Sequence, residues 1–126
     1  MIRNLLIVGI GGFLGSITRY LSQLAAGKFF SSGFPAGIFI VNILGCLLIG
    51  IVYALSEKGN ILTAEMRLFL AVGFCGGFTT FSTFSYDNLM LLKDGSIGLL
   101  LINTFGSVAF GLLAVYAGIV LIRLIF

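Results

Sequence analysis

The sequence predicts an all-α membrane protein with four transmembrane helices, and three observations support this. Of its 126 residues, 60% are hydrophobic and only 9% are charged, whereas about a quarter of the residues in soluble domains are charged. The mean hydropathy of +1.22 leaves too few polar side chains to cover a surface that faces water. The charged residues are also spaced so that they separate long uncharged runs. We therefore expect a single transmembrane domain over residues 1–126.

The uncharged runs locate the four spans. Three of them contain 28, 19 and 28 residues, and each crosses the membrane once because about 20 apolar residues span a bilayer. The first segment has 15 uncharged residues before Arg19, whose guanidinium we expect to extend toward the membrane surface. The predicted spans are roughly residues 4-27, 34-56, 67-92 and 96-123.

Several other interpretations of the composition are excluded. The first span is not expected to be a cleaved signal peptide, because Arg19 lies between its apolar stretch and the small residues at 25–27. The seven basic residues are scattered, which argues against nucleic-acid binding. Cys46 and Cys75 lie in apolar runs of a chain without histidine, so we predict that they are small buried hydrophobic groups.

The basic residues do not select an orientation in the membrane. With four spans, the side of the N-terminus carries four of them and the opposite side three, which is almost no bias. Either a lipid-facing feature decides the orientation, or the chain inserts both ways and pairs head to tail. A chain of this size can hardly enclose a pore alone. Both interpretations therefore predict an oligomer. The basic residues of the first side are Arg3, Lys58, Arg67 and Arg123, and those of the second are Arg19, Lys28 and Lys93.

Glycine and polar residues occur inside the predicted spans. Gly11 and Gly15 are one helical turn apart, which predicts close packing of the first helix against a neighbour. Asn42, Asn103 and Ser107 lie within the second and fourth spans, where a polar group must find a partner. Each of the three either hydrogen-bonds a neighbouring helix or donates to an ion in a wet passage, and their positions favour neither interpretation.

The third span carries the strongest signal. Gly76 and Gly77 are followed by five hydroxyl residues in the seven positions 79–85, a poor composition for a regular lipid-facing helix. We predict that this helix is broken near Gly76–Thr79. An irregular backbone at membrane depth is tolerated only where it is buried in protein or lines a cavity. Its freed carbonyls are potential cation ligands.

Two phenylalanines alternate with these hydroxyl residues. Phe81 and Phe84 are three residues apart and so share a helical face. An isolated pair would usually contact lipid or core. A phenyl ring has a positive edge, however, and hydroxyl donors beside two such edges can replace part of the water shell of a small anion. The span therefore predicts a path for a small anion.

The motif Gly76-Gly-Phe-Thr-Thr-Phe-Ser-Thr-Phe-Ser85 resembles the signature of the Fluc (CrcB) family of fluoride channels. The glycine-rich first span ending near Arg19, Val41-Asn42 before Gly45, and Gly106-Ser107 in the fourth span agree with it in spacing and order over essentially the whole chain. The resemblance implies an antiparallel (dual-topology) homodimer in a bacterial-type inner membrane. Its two pores would let fluoride leave the cytoplasm passively.

The resemblance also implies roles for individual residues. Phe81 and Phe84 are similar to the paired pore phenylalanines, one from each subunit in a given pore, and Asn42 to the amide that hydrogen-bonds fluoride. The carbonyls of Gly76 and Thr79, two from each protomer, would hold a structural sodium ion at the dimer centre. The remaining counterparts are Ser82, Thr83 and Ser107 in a polar track, and Arg19 at the vestibule.

Two positions depart from the family pattern, and three other functions fit the sequence less well. Asp87 stands where many members have glutamate, and Ile38 where a hydroxyl residue is frequent. A small drug exporter would need a carboxylate inside a span, and Asp87 lies at an end. A lytic or structural membrane protein leaves the hydroxyl and phenylalanine string unexplained. No constellation of catalytic residues indicates an enzyme.

Overall fold

The structure is a computed structural model that describes residues 1–126. It is entirely helical. Helix α1 comprises Ile2–Phe29, α2 comprises Ala36–Glu57 and α5 comprises Ile97–Ile125. The segment Ala64–Lys93 forms the third span. All four segments are long and apolar enough to cross a membrane, which confirms the predicted number of spans and a multi-pass membrane protein.

The third span is broken, as predicted, but the break follows the glycine pair. Helix α3 begins at Ala64 and ends at Phe78, and its central part, Leu68–Cys75, is π-helical. Thr79 (φ −88°, ψ 157°) and Thr80 (φ −151°, ψ 125°) are extended. Helix α4 then comprises Phe81–Lys93. Gly76 and Gly77 are thus helical, and the break lies at Thr79 and Thr80, at the end of the predicted range.

The glycines permit close packing of α1 against α3 instead. A Cβ atom on Gly77 would lie 2.5 Å from the carbonyl oxygen of Gly12. A Cβ on Gly11 would lie 2.6 Å from the carbonyl oxygen of Phe69, and one on Gly15 would overlap that of Phe74. Since these contacts are with backbone atoms, the two helices approach this closely only because the side chains are absent. The predicted small-residue packing of α1 is confirmed.

Glycines also permit close packing of α2 against α5. A Cβ on Gly118 would lie 2.5 Å from the carbonyl oxygen of Leu47, and a Cβ on Gly50 would overlap the carbonyl oxygen of Val115. The fold therefore consists of two tightly packed helix pairs, α1 with α3 and α2 with α5, and α2 also contacts α1. Helix α4 packs mainly on α5.

Little of the chain is buried within the protomer. Only 18 of 126 residues are buried, and large apolar side chains such as Leu5, Phe13 and Leu112 are exposed. A soluble monomer rarely exposes apolar surface on this scale. The surface is therefore suited to acyl chains or to another protein, and helix contact through glycine takes the place of a large core.

Candidate functional site

Asn42 hydrogen-bonds the backbone at the break in the third span. Its Nδ2 donates to the carbonyl oxygen of Thr80 (3.1 Å), and its Oδ1 accepts from the N–H of Thr80 (2.9 Å). Both backbone groups of an extended residue are thereby satisfied at a depth where no water replaces a lost helical partner. Of the two interpretations of Asn42, the structure shows the bridge between helices. The second N–H of the same amide has no partner within the chain.

Arg19 hydrogen-bonds the end of α3, just before the break. Its Nε donates to the carbonyl oxygen of Gly77 at 3.1 Å, and the contact is partly buried. In an unbroken helix this carbonyl would accept from the N–H of residue 81, but Phe81 begins the next helix. A freed carbonyl is a strong acceptor for a cationic donor, so this contact ties α1 to the end of α3. That the guanidinium extends toward the membrane surface stays a prediction.

Three carbonyls at the break, those of Gly76, Phe78 and Thr79, receive no hydrogen bond. In an unbroken helix, the carbonyl of Gly76 would accept from the N–H of Thr80, which donates to Asn42 instead. The carbonyl of Thr79 would accept from the N–H of Thr83, which donates to the Thr80 hydroxyl oxygen (3.3 Å). No atom lies within 4 Å of the position that a Cβ of Gly76 would occupy. Oxygen ligands are thus available beside open space.

A cleft of about 470 Å³ lies between α2, α5 and the break, and it gathers six of the predicted site residues. The ring centroids of its two phenylalanines are 5.9 Å apart, with the planes inclined by 40°. Phe81 is 79% exposed in the single protomer, so this side of the cleft is open. The six residues are Asn42, Gly76, Thr79, Phe81, Phe84 and Ser107.

The other predicted residues lie outside this cleft and have local roles. The hydroxyl of Thr80, the residue immediately before α4, accepts from the N–H of Thr83 and lies 3.2 Å from the hydroxyl of Ser82. A threonine before a helix commonly caps it in this way. No role was predicted for Thr80 by itself, although a threonine directly before the first phenylalanine is a capping signal visible in the sequence. Arg19 lies at the break and does not line the cleft.

Comparison with known proteins identifies the family. Residues 6–119 match the family described as CrcB-like protein, Camphor Resistance (CrcB). The chain belongs to the CrcB-like family. The "Fluoride-specific ion channel FluC" of Bacteroides fragilis is 52% identical over 119 residues, which are 92% of this chain and 93% of the relative. The resemblance drawn from the third-span motif is therefore confirmed.

Two further CrcB-like relatives carry the same name. That of Chlorobium phaeobacteroides is 45% identical over 120 residues, which cover 95% of this chain and 93% of the relative. That of Chlorobaculum tepidum is 44% identical over 124 residues, which cover 98% of each. The similarity thus includes all four spans and both sides of the break.

The two departures from the CrcB-like pattern meet at a separate pocket. Asp87 and Ile38 both line a space of about 220 Å³ near the end of α1 and the start of α2, together with Gln23. Ile38 is buried. The carboxylate of Asp87 therefore faces a small polar recess, distinct from the cleft at the break.

The two cysteines of this CrcB-like chain line the main cleft without pairing. Both are free thiols; Cys75 is buried and Cys46 is half-buried. The prediction of buried side chains is therefore confirmed for Cys75 and only in part for Cys46.

A second polar cluster joins α4 to α5. The Nδ2 of Asn103 donates to Oδ1 of Asn88 (2.8 Å), and Nδ2 of Asn88 donates to the hydroxyl oxygen of Thr104 (3.2 Å). Asn103 is only 1% exposed, so for this residue too the structure shows the bridge between helices. No role was predicted for Asn88 from the sequence. Its amide, one turn after Phe84 in an apolar span, was the available signal.

Proposed function

We propose that this protein is a fluoride channel through which fluoride leaves the cytoplasm down its gradient. The observation that carries the proposal is the cleft at the break, in which the Phe81 and Phe84 rings lie beside the Asn42 amide and the Ser107 hydroxyl. Its support comes from relatives that are all named fluoride-specific ion channels. That name also agrees with the prediction that the chain is not an enzyme, and it does not describe a drug exporter or a lytic protein.

The cleft supplies what a small anion needs when it loses water. Ring edges present positive charge density, and the free N–H of Asn42 and the hydroxyl of Ser107 can donate hydrogen bonds. None of these groups carries a net charge. An ion bound only by dipoles and ring edges is held strongly enough to enter and weakly enough to leave, which conduction requires.

Fluoride efflux from liposomes tests the proposal. Purified protein is reconstituted with internal potassium fluoride, and valinomycin relieves the membrane potential while a fluoride electrode records release. We expect rapid release of fluoride and no comparable release of chloride from matched vesicles. Vesicles that retain fluoride, or that release chloride as readily, would contradict the assignment.

We further propose an antiparallel homodimer with two pores. Phe81 is largely exposed beside an open cleft in the single protomer, so a second copy can complete the wall and contribute its own phenylalanine. The balance of four basic residues against three permits insertion in both orientations. Ile2→Cys, in a background of Cys46→Ala and Cys75→Ala, should react with an impermeant maleimide about equally from both sides of the membrane. Reaction from one side alone would refute dual topology.

A sodium ion at the dimer centre fits the groups that the break leaves free. The carbonyls of Gly76 and Thr79 accept no hydrogen bond, and neutral oxygen ligands suit a hard alkali cation. When bound, the ion would offset the carbonyl dipoles of two facing breaks. Purification with N-methyl-D-glucamine in place of sodium should reduce the dimer fraction in detergent and slow fluoride efflux several-fold. An undiminished dimer with full flux would remove the sodium from the proposal.

A further inference from the structure

A recess of about 550 Å³ lies at the end of the helix bundle where the chain begins. The first turns of α1 and α3 and the last part of α2 form its walls. Arg3 and Arg67 both line it, and the only acidic residue that lines it is Glu65. The recess therefore carries a net positive charge and is suited to an anion.

Most of the hydrogen-bond donors in this recess are free. Nη2 of Arg3 lies 3.1 Å from Oε1 of Glu65, and the two side chains are 75% and 45% exposed. This ion pair neutralises the carboxylate but uses only one of the five donors of a guanidinium. Arg67 forms no ion pair and no side-chain hydrogen bond within the chain. The side chains of Tyr53 and Asn4 line the same recess and also lack a partner.

The recess lies at the depth of the lipid headgroups. Arg3 and Arg67 lie within the first four residues of their membrane-spanning segments, and Tyr53 lies one turn before the end of α2. Arginine at the end of a span places its charge at the membrane interface. Tyrosine favours the same zone because its ring is apolar and its hydroxyl is polar. The anions at this depth are the phosphates of the lipids.

The rest of the wall is apolar and leads toward the membrane interior. Leu68 and Val72 are one helical turn apart on α3 and both line the recess. Val72 is 53% exposed, so this part of the wall is open to an acyl chain. A free phosphate ion would leave the apolar part bare, whereas a phospholipid can contact both parts at once.

We propose that this recess binds an anionic phospholipid, with the phosphate at Arg67 and Arg3 and an acyl chain along Leu68 and Val72. A guanidinium matches phosphate oxygens with two parallel hydrogen bonds, and Arg67 has all of its donors free. Two arginines against one carboxylate favour a headgroup with a net negative charge over a zwitterionic one. The inference goes beyond the proposed function and does not depend on it.

Native mass spectrometry of delipidated protein in detergent tests the site. Phosphatidylglycerol and phosphatidylcholine with the same acyl chains are added in turn, and bound lipid is counted at each concentration. We expect phosphatidylglycerol to bind at a several-fold lower concentration, and inorganic phosphate at the same concentration not to displace it. Equal binding of the two lipids would overturn the anionic headgroup. Displacement by inorganic phosphate would mean that the recess takes free phosphate instead of a lipid.

Arg67→Gln and Arg123→Gln are matched variants that remove the same charge on the same side of the membrane. Only Arg67 lines the recess; Arg123 lies near the end of α5. We expect Arg67→Gln to raise the dissociation constant for phosphatidylglycerol about tenfold, roughly the value of one hydrogen bond to a charged group. Arg123→Gln should bind as the wild type does. Equal weakening in both variants would mean that the basic protein attracts anionic lipid without a specific site.

Melting temperatures measured without lipid show whether the variants fold. Arg67 has no partner within the chain, so we expect Arg67→Gln to melt as the wild type does. Tyr53→Phe retains the ring, removes only the hydroxyl, and should weaken phosphatidylglycerol binding several-fold. Unchanged lipid binding in both Arg67→Gln and Tyr53→Phe would overturn the site.

The lipid site and the fluoride channel can fail separately. Protein that conducts fluoride but binds phosphatidylglycerol no better than phosphatidylcholine would refute the lipid site alone. Protein that binds phosphatidylglycerol as expected but releases no fluoride would refute the proposed function alone.

Discussion

Fluoride efflux is expected to fall about tenfold in Phe81→Ile, about tenfold in Phe84→Ile and about a hundredfold in the double variant, taking ~1.4 kcal/mol for each ring edge. Isoleucine retains the bulk and apolar character of phenylalanine and removes only the aromatic quadrupole. The two rings border one cleft with centroids 5.9 Å apart, and in the proposed dimer each pore takes one of the two from each copy, so the double variant removes both ring edges from every pore. Initial rates of release from liposomes measure the effect.

Phe13→Ile provides the matched control for the ring substitutions. Phe13 is also largely exposed, but it lies on α1 and does not line the cleft. We expect efflux through this variant to equal that of the wild type, and size-exclusion profiles to be the same for all four variants. Normal flux through the double variant would show that the rings do not border the conduction path.

Gly15→Ala is expected to prevent close packing of α1 on α3 and to abolish most of the folded protein. The new Cβ would overlap the carbonyl oxygen of Phe74 and lie 2.9 Å from the backbone nitrogen of Phe78. Overpacking a core usually costs about 1–3 kcal/mol, and the cost here is at the upper end or beyond because backbone atoms next to the break cannot rotate aside. The fraction of monodisperse protein after extraction in detergent, together with its melting temperature, measures the loss.

Gly9→Ala, on the same helix, controls for the added methyl group and for the higher helix propensity of alanine. No heavy atom lies within 4 Å of the position that its Cβ would occupy, and alanine is the better helix former. This variant should therefore melt at or slightly above the temperature of the wild type. Equal stability of the Gly9 and Gly15 variants would mean that α1 does not approach α3 as closely as the structure shows.

The break in the third span was predicted from the sequence, but its exact position was not. Two glycines and a hydroxyl-rich string predicted an interruption near residues 76–79, and the interruption is found. The chain leaves the helix only at Thr79, however, because Gly77 is held in α3 by its contact with Gly12. The π-helical part of α3, Leu68–Cys75, had no signal in a run that is uniformly apolar.

For the polar residues, the sequence predicted that partners exist but not which residues they are. An amide inside an apolar span predicted that Asn42 must have a partner, and the partner could not be named because Thr80 is 38 positions away in the chain. The same holds for Arg19, whose acceptor on Gly77 exists only because the helix ends nearby. Asn88 and Thr104 became part of a polar cluster only when α4 and α5 were packed together.

The amino-acid sequence by itself determined that the chain lies in lipid, how many spans it has and that the third span is broken. Hydropathy and helix-breaking composition act over neighbouring residues, so a local sequence pattern reveals them. It also carried the motif by which the family was identified. Tertiary structure alone decided which polar groups meet, which glycines are indispensable and which carbonyls are left free. Those properties depend on contacts of a few ångströms between helices that are distant in the chain, and no local pattern encodes such distances.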